Sequence, residues 1–183
     1  MTDEKHGALE HTRRLLEAQH QQAAEQERVW RGLAVVAGEL KIVVPIANVV
    51  ELAVCENITP VPLTQPWVRG LTNLRGQLIS VVDLSVFIGA NETRLSRDAR
   101  IIVLADNGLN TCLLVNNVAG LKAFPEDQQL SPVSNIQGDL KGYFSGQVMA
   151  DGEAWYVMDV PALVADRRYK MPSRVAVNTA RMN

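Results

Sequence analysis

The sequence predicts an all-β protein, and three observations carry that expectation. Short runs rich in Val, Ile and Leu recur between Trp30 and Met158, each bounded by Gly, Asn, Asp or Pro. Turn signals at Gly38-Glu39, Asp106-Asn107-Gly108 and Asp151-Gly152 join neighbouring runs into hairpins. The two halves also echo each other in order. Asn48-Val49-Val50-Glu51-Leu52 follows one hairpin and Asn117-Val118-Ala119-Gly120-Leu121 follows another. Gly76-Gln77-Leu78 through Val82-Asp83-Leu84 is matched by Gly146-Gln147-Val148 through Met158-Asp159-Val160. Two echoes in one order imply a duplicated unit of about five strands. A unit that small cannot leave its sheet edges open, so two small five-stranded β-barrel subdomains side by side, with a groove between them, are expected.

Each element has a local reason. Residues 1–28 are polar, rich in Gln, Glu and Ala, and free of proline, which predicts a helical N-terminal extension. Regular β signals begin at Trp30. Residues 33–37 and 40–46 read as strands joined at Gly38-Glu39. Pro60, Pro62 and Pro66 then lay out an extended approach, because proline cannot donate to a ladder. Residues 77–83 read as a strand rich in β-branched side chains. Asp83 caps a short helix through Ile88, and Gly89 stops it. After a polar link at residues 91–97, residues 100–105 and 111–115 form another hairpin. A loop runs over 125–139, and residues 143–150 and 155–158 form the last hairpin. Asp159 caps a helix through Ala165, with Pro161 suited to its first turn. The chain thus divides into an extension at 1–28, a β domain at 29–166 with subdomains at about 30–90 and about 98–166, and a basic tail at 167–183.

Composition narrows the function. With 183 residues and 47% apolar content, the chain can bury one good core or two small ones. No run approaches the roughly 18 uninterrupted apolar residues of a membrane span. The N-terminus carries acids where a secretory signal would be basic and then apolar. A cytoplasmic protein without direct membrane insertion is expected. Cys55 and Cys112 lack CxxC spacing and read as small buried thiols. His6, His11 and His20 all fall within the extension, which removes His-dependent triads and most zinc sites from the β domain. No glycine-rich phosphate loop stands out, and no cofactor is expected. Charge is uneven: residues 1–28 hold six acids and four bases, residues 29–166 fourteen and nine, and residues 167–183 five bases and no acid. An acidic body lacks the basic stripe of a nucleic-acid groove. The basic tail reads as a solvated terminus.

The stretch from Trp67 to Gly89, WVRGLTNLRGQLISVVDLSVFIG, organises the first half. Gly70 and Asn73 suit positions that need positive φ or a side chain bonded to the backbone. Arg75 stands on the turn before an apolar strand. It is either an edge residue with its guanidinium in water, or a side chain that a rigid turn presents to a partner. In the echo, Glu51 faces Gly120 and Arg75 faces Ser145, so only the first half carries a charged pair. Glu51 and Arg75 either pair with each other, worth little if exposed, or mark the polar rim of a binding face with an apolar centre.

Gly70-Leu71-Thr72-Asn73-Leu74-Arg75-Gly76, then apolar residues and Asp83-Leu84, is similar to the signature of the CheW-like domain. The match extends more loosely from about Trp30 to Asp166. Pro66-Trp67-Val68-Arg69-Gly70 and Trp30 look most like the branch of that family found in type IV pilus twitching-motility systems. The resemblance implies the same two-barrel architecture and a non-catalytic adaptor coupling a chemoreceptor to a CheA-like histidine kinase. Its partners would be the regulatory barrel domain of the kinase and the cytoplasmic tip of a methyl-accepting chemoreceptor. Asn73, Arg75 and Gly76 match the motif directly as partner-binding positions, and Glu51 and Val49 match more loosely. The long polar N-terminal segment departs from a minimal coupling protein.

Two other classes stay open on the residues alone. A small β-barrel enzyme would use Asp83 and Asp159, yet both are placed as helix caps and neither carries the Asp-Thr/Ser-Gly turn of an aspartic protease. Because asparagine also caps helices, Asp83→Asn is expected to cost on the order of a kilocalorie per mole or less. A single-stranded nucleic-acid-binding barrel would need a basic face beside Trp67, Tyr143, Trp155 and Tyr156.

Overall fold

The computed structural model describes Arg14 and residues 29–105, 110–136 and 138–170. Apart from Arg14, which is helical, the expected helix at 1–28 lies outside the described residues, as do the turn at residues 106–108 and the tail from residue 171. The chain packs as a small unit, Met1–Arg31 with Ala123–Gln128, and a large one, Gly32–Lys122 with Gln129–Asn183. Within the small unit, Trp30 stacks on Phe124 with ring centroids 4.5 Å apart.

Strands β1 (Val29–Ala37) and β2 (Leu40–Pro45) form a hairpin about Gly38, antiparallel from Gly32↔Pro45 to Ala37↔Leu40. A 3-10 turn at Ile46–Asn48 leads into β3 (Val49–Val54). Strands β4 (Val68–Leu74) and β5 (Gln77–Asp83) make the next hairpin, followed by helix α1 (Leu84–Phe87). The second half repeats this series with β6 (Arg100–Leu104), β7 (Thr111–Val115), β8 (Asn117–Pro125), β9 (Phe144–Ala150), β10 (Glu153–Met158) and helix α2 (Val160–Ala165). Helix α3 (Arg167–Lys170) follows. The all-β expectation holds. Residues 68–74, read in sequence only for their turn-formers, are a strand.

The duplication is visible in the pairing. One sheet has the order β8-β1-β2-β10-β9 and the other β3-β6-β7-β5-β4. Exchanging each strand for its counterpart in the other half converts one order into the other. Each sheet therefore joins the first hairpin of one half to the last three strands of the other, across the parallel pairs β2–β10 and β5–β7. This corrects the expected barrels in two respects. Neither sheet is made by one half alone, and neither closes, since both orders end on open edges. Past β3 and β8 the chain pairs with the far edge through isolated bridges, Thr59↔Leu71 and Ser131↔Gln147, rather than through a continuous ladder. The prolines flanking those bridges, Pro60 and Pro132, cannot donate to a continued ladder.

Exchange lets the two sheets share one core. Leu33, Val35, Ile42 and Val44 of one sheet and Val82, Ile102, Leu113 and Val115 of the other fall in a single buried cluster with Phe87, Tyr143 and Tyr169. Alternate positions of the second sheet, Ile79, Val81, Ile101, Cys112 and Leu114, fill a second cluster on its other face. Strands buried on both faces explain the near-continuous apolar runs. Burial pushes the Cys112 thiol up to about 12, with the nearby Cys55 thiol adding to the shift.

The pairing also re-registers the repeat. In the first half Val68↔Val82 is followed by Gly70↔Val81, a bulge, and in the second Met158↔Phe144 and Val157↔Gly146 repeat it. Gly70 thus corresponds to Gly146. The hairpin tip Arg75-Gly76, at φ 53° and 86°, corresponds to Asp151-Gly152, at 52° and 76°. The sequence echo had matched Gly76 with Gly146 and Arg75 with Ser145. Packed structure also runs past Asp166: Tyr169 is buried, so the start of the basic tail is not a solvated terminus. Among the described residues no helix is long and apolar enough to cross a membrane.

Candidate partner-binding face

The β4–β5 hairpin positions three of the candidate residues. A two-residue tip with positive φ at both positions is the type I′ turn, whose twist matches that of the flanking strands. Asn73 closes it by accepting the Gly76 N–H on its side-chain oxygen at 2.8 Å. Gly76 meets the φ requirement without cost, whereas Arg75 adopts a left-handed conformation that Asn or Gly fills more easily. Its side chain is 80% exposed.

Glu51 lies on β3, which with β4 forms the two edges of its sheet. Its carboxylate nevertheless reaches Arg75 Nη2 at 3.0 Å, so the sheet curls until its edges approach. Thr72 Oγ1 donating to the Asn57 carbonyl at 2.7 Å joins the same two edges. The Arg75 end is in water while Glu51 is 23% exposed, and a pair with one end so solvated is worth about 0.2–1 kcal/mol. The second half has a counterpart that the sequence reading missed: Lys122 on β8 pairs with Asp151 at the tip of β9–β10, with the charges reversed. Lys122 also lies 5.0 Å from the Trp155 ring centroid. The idea that only the first half keeps a charged pair is therefore corrected. Because acid and base have changed places, no residue-by-residue echo could have found it.

Val49 is half-buried and packs against the shared core. The outward side chains of β3 are instead Val50, Leu52 and Val54, at 66%, 42% and 57% exposure. Alternation along β3 would expose them in sequence only if the other face were polar, and Val49 and Ala53 hide that signal. Beside Arg75 a concavity of about 520 Å³ opens, with Val54, Asn57, Thr72 and Asn73 among its walls.

Asp83 and Asp159 are the helix caps that the sequence suggests. Asp159 accepts the Ala162 N–H at 2.9 Å. Asp83 is fully buried and does more. Its Oδ1 accepts the Ser85 and Val86 N–H groups and the Thr93 hydroxyl, and its Oδ2 accepts the Thr93 N–H and lies 3.4 Å from Arg69 Nη1. Arg69 also pairs with Glu92.

A second polar cluster ties down α3. Tyr143 Oη donates to Asp166 Oδ2 at 2.5 Å. Burial, then this bond and the Asp166 charge, pushes the Tyr143 phenol up to about 12. Burial tends to raise the Asp166 carboxyl, but the Tyr143 hydroxyl, the Arg168 N–H and the Arg168 guanidinium together hold it below its ordinary value. A phenol whose folded pKa exceeds its unfolded value of about 10 contributes fully below that pH and loses the contribution as pH rises towards about 12. Wild type is therefore expected to lose its stability advantage over Tyr143→Phe across that window, read as the difference in urea midpoints. A constant difference would show that the phenol does not titrate with folding.

A family model described as the CheW-like domain matches residues 31–168. The chain is 29% identical over 142 residues to the protein PilI of Pseudomonas aeruginosa, covering 76% of this chain and 79% of PilI. It is 29% identical over 140 residues to the protein FrzA of Myxococcus xanthus, covering 75% and 86%. The crystal structure of the scaffolding protein TtCheW from Thermoanaerobacter tengcongensis superposes with a TM-score of 0.62 at 25% identity, covering 71% of this chain and 88% of that one.

Proposed function

We propose a function from the premise that this chain belongs to the CheW-like domain family: it is a non-catalytic adaptor of a chemotaxis-type signalling array. Similarity to PilI supports a role in type IV pilus twitching motility. The adaptor works in the cytoplasm, holding the tip of a chemoreceptor and the regulatory barrel domain of a CheA-like kinase in fixed relation. Val49, Glu51, Asn73, Arg75 and Gly76 belong to its contact face, Val49 through packing behind it. Val50, Leu52 and Val54 add apolar area on the β3 edge, where an interface wants it. Both candidate catalytic carboxylates are engaged by backbone N–H groups at helix starts, which favours a scaffold over an enzyme.

The observation that carries this reading is Arg75 itself. A type I′ tip favours Asn or Gly there, and the local backbone gains nothing from arginine. A left-handed arginine that stays 80% exposed while paired with Glu51 points to an external partner. Arg75→Glu is expected to leave the unfolding free energy within about 1 kcal/mol, since it exchanges one solvated ion pair for a solvated like-charge contact with Glu51. Capture of receptor and kinase from cytoplasmic extract, read by mass spectrometry, is expected to fall about tenfold or more. Arg75→Asn should be slightly more stable than wild type yet equally poor at capture. Arg94→Glu, in the exposed link, should change neither. Undiminished capture by both Arg75 variants would remove Arg75 from the contact face.

A further inference from the structure

The C-terminal segment after α2 carries a cluster that the adaptor reading does not use. Asp166 is extended, at φ −64° and ψ 136°, so it breaks the chain between α2 and α3 and makes α3 a separate element. Asp166 is fixed on one side by the Tyr143 hydroxyl and on the other by the Arg168 N–H. From α3 the Arg168 guanidinium lies 4.9 Å from the Trp67 ring centroid and 4.7 Å from that of Phe87. It also donates to the Phe87 carbonyl at 3.2 Å. The two rings meet edge to face at 5.6 Å, and the buried Tyr169 packs edge-on to Phe87 at 6.4 Å.

The chain positions of these rings give the cluster its meaning. Trp67 immediately precedes β4, and its carbonyl accepts the Asp83 N–H at 2.7 Å where β5 ends. Phe87 lies in α1, directly after β5. One guanidinium therefore grips both legs of the β4–β5 hairpin at its base, while Arg75 stands at the tip. Strand β4 is a sheet edge, held by β5 on one side and by the Thr59 bridge on the other. Its further ties are side-chain ones, Thr72 to the Asn57 carbonyl, Arg69 to Asp83 and Glu92, and Arg75 at the tip to Glu51.

We propose that α3 is a clamp on the base of this hairpin, with Arg168 as its positioning residue. Opening the clamp loosens β4 and the tip without unfolding either sheet. The guanidinium is held by two ring faces and a carbonyl, and its charge also steadies the half-buried Asp166 carboxylate, which keeps the Tyr143 hydroxyl and the Arg168 N–H as partners when the cation leaves. This device stands on the geometry alone and holds whatever partner the hairpin meets.

Amide hydrogen exchange of the full chain, resolved by peptide mass spectrometry, tests it. In Arg168→Ala, amides of Val68–Leu74 are expected to exchange about tenfold faster, the scale of one desolvated cation–π contact. Amides of β1–β2 and β6–β7 should be unchanged. Arg168→Lys, which keeps the charge but loses the planar fork, should fall between. Acceleration confined to residues 160–170, or spread equally over all strands, would overturn the clamp. If Arg168→Ala does not fold, Tyr143→Phe carries the test, because it removes only the hydroxyl that fixes Asp166. A few-fold acceleration in the same β4 amides is then expected, and none would count against the proposal.

Discussion

Gly70→Ala is expected to destabilise the protein by about 4 kcal/mol, the sum of a strained φ and a backbone collision. Gly70 holds φ 138°, where L residues are strained whatever their surroundings. A Cβ there would lie 2.1 Å from the Thr59 carbonyl oxygen and 2.9 Å from Pro60 Cα, both backbone atoms. Thr59 cannot retreat cheaply, since its N–H and C=O each bond Leu71, at 2.8 and 2.9 Å. Gly76→Ala is the comparison. Its φ is 86° but nothing lies within 4 Å of an added Cβ, so only the conformational cost of about 1 kcal/mol remains. Gly146 is intermediate: its φ is not in the left-handed region, but an added Cβ meets Leu130 Cβ at 2.6 Å and the Ser131 carbonyl oxygen at 3.0 Å, so the backbone at 130–131 must shift. Urea midpoints of the three variants should rank in that order. If Gly70→Ala matched Gly76→Ala, the chain at residues 59–60 would not be seated on β4.

Asp83→Asn should cost about 3 kcal/mol, the usual range for breaking a buried charge and its hydrogen bonds. The cap alone would suggest a kilocalorie or less, because asparagine accepts at helix starts as well as aspartate. Here both oxygens are occupied. An amide nitrogen on either side would face donors: Ser85, Val86 and the Thr93 hydroxyl on one, the Thr93 N–H and Arg69 on the other. Arg69, with its side chain only 18% exposed, would lose its buried charge partner and keep Glu92 and the Thr93 carbonyl. Around this core, Ser85 Oγ donates to Asn116 Oδ1, which also accepts the Gly38 N–H, so the damage reaches the β1–β2 turn. Asp159→Asn is the control and should cost under about 1 kcal/mol, with a single cap bond at stake. Equal losses in thermal unfolding would mean that Asp83 is only a cap.

Much of this molecule is legible from local chemistry. Alternating apolar residues, two-residue turns and Asp caps are properties of a few consecutive positions, and β5, β7 and α2 lie where those signals put them. Asn73 and Gly76 could be read as turn residues because φ and side-chain-to-backbone bonding depend on immediate neighbours alone. The repeat was legible in kind but not in register. A bulge at Gly70 and another at Gly146 shift the pairing, and the Gly-Gln echo matched the wrong glycine. Arg75 and Glu51 could be named as a possible pair, yet their meeting depends on how far the sheet curls.

By itself the sequence determined the fold class, the order of hairpins and caps, the duplication and the family signature, since each rests on residues close together in the chain. Only the tertiary structure decided that the halves exchange strands around one core, that Asp83 is a buried hub, and that Arg168 and Tyr169 belong to the fold. Those facts depend on contacts between residues far apart in the chain: 31 positions between Ser85 and Asn116, 81 between Phe87 and Arg168. Hydrophobic burial rewards any apolar partner of suitable shape, so pattern says what will be buried, while the closing geometry decides against what.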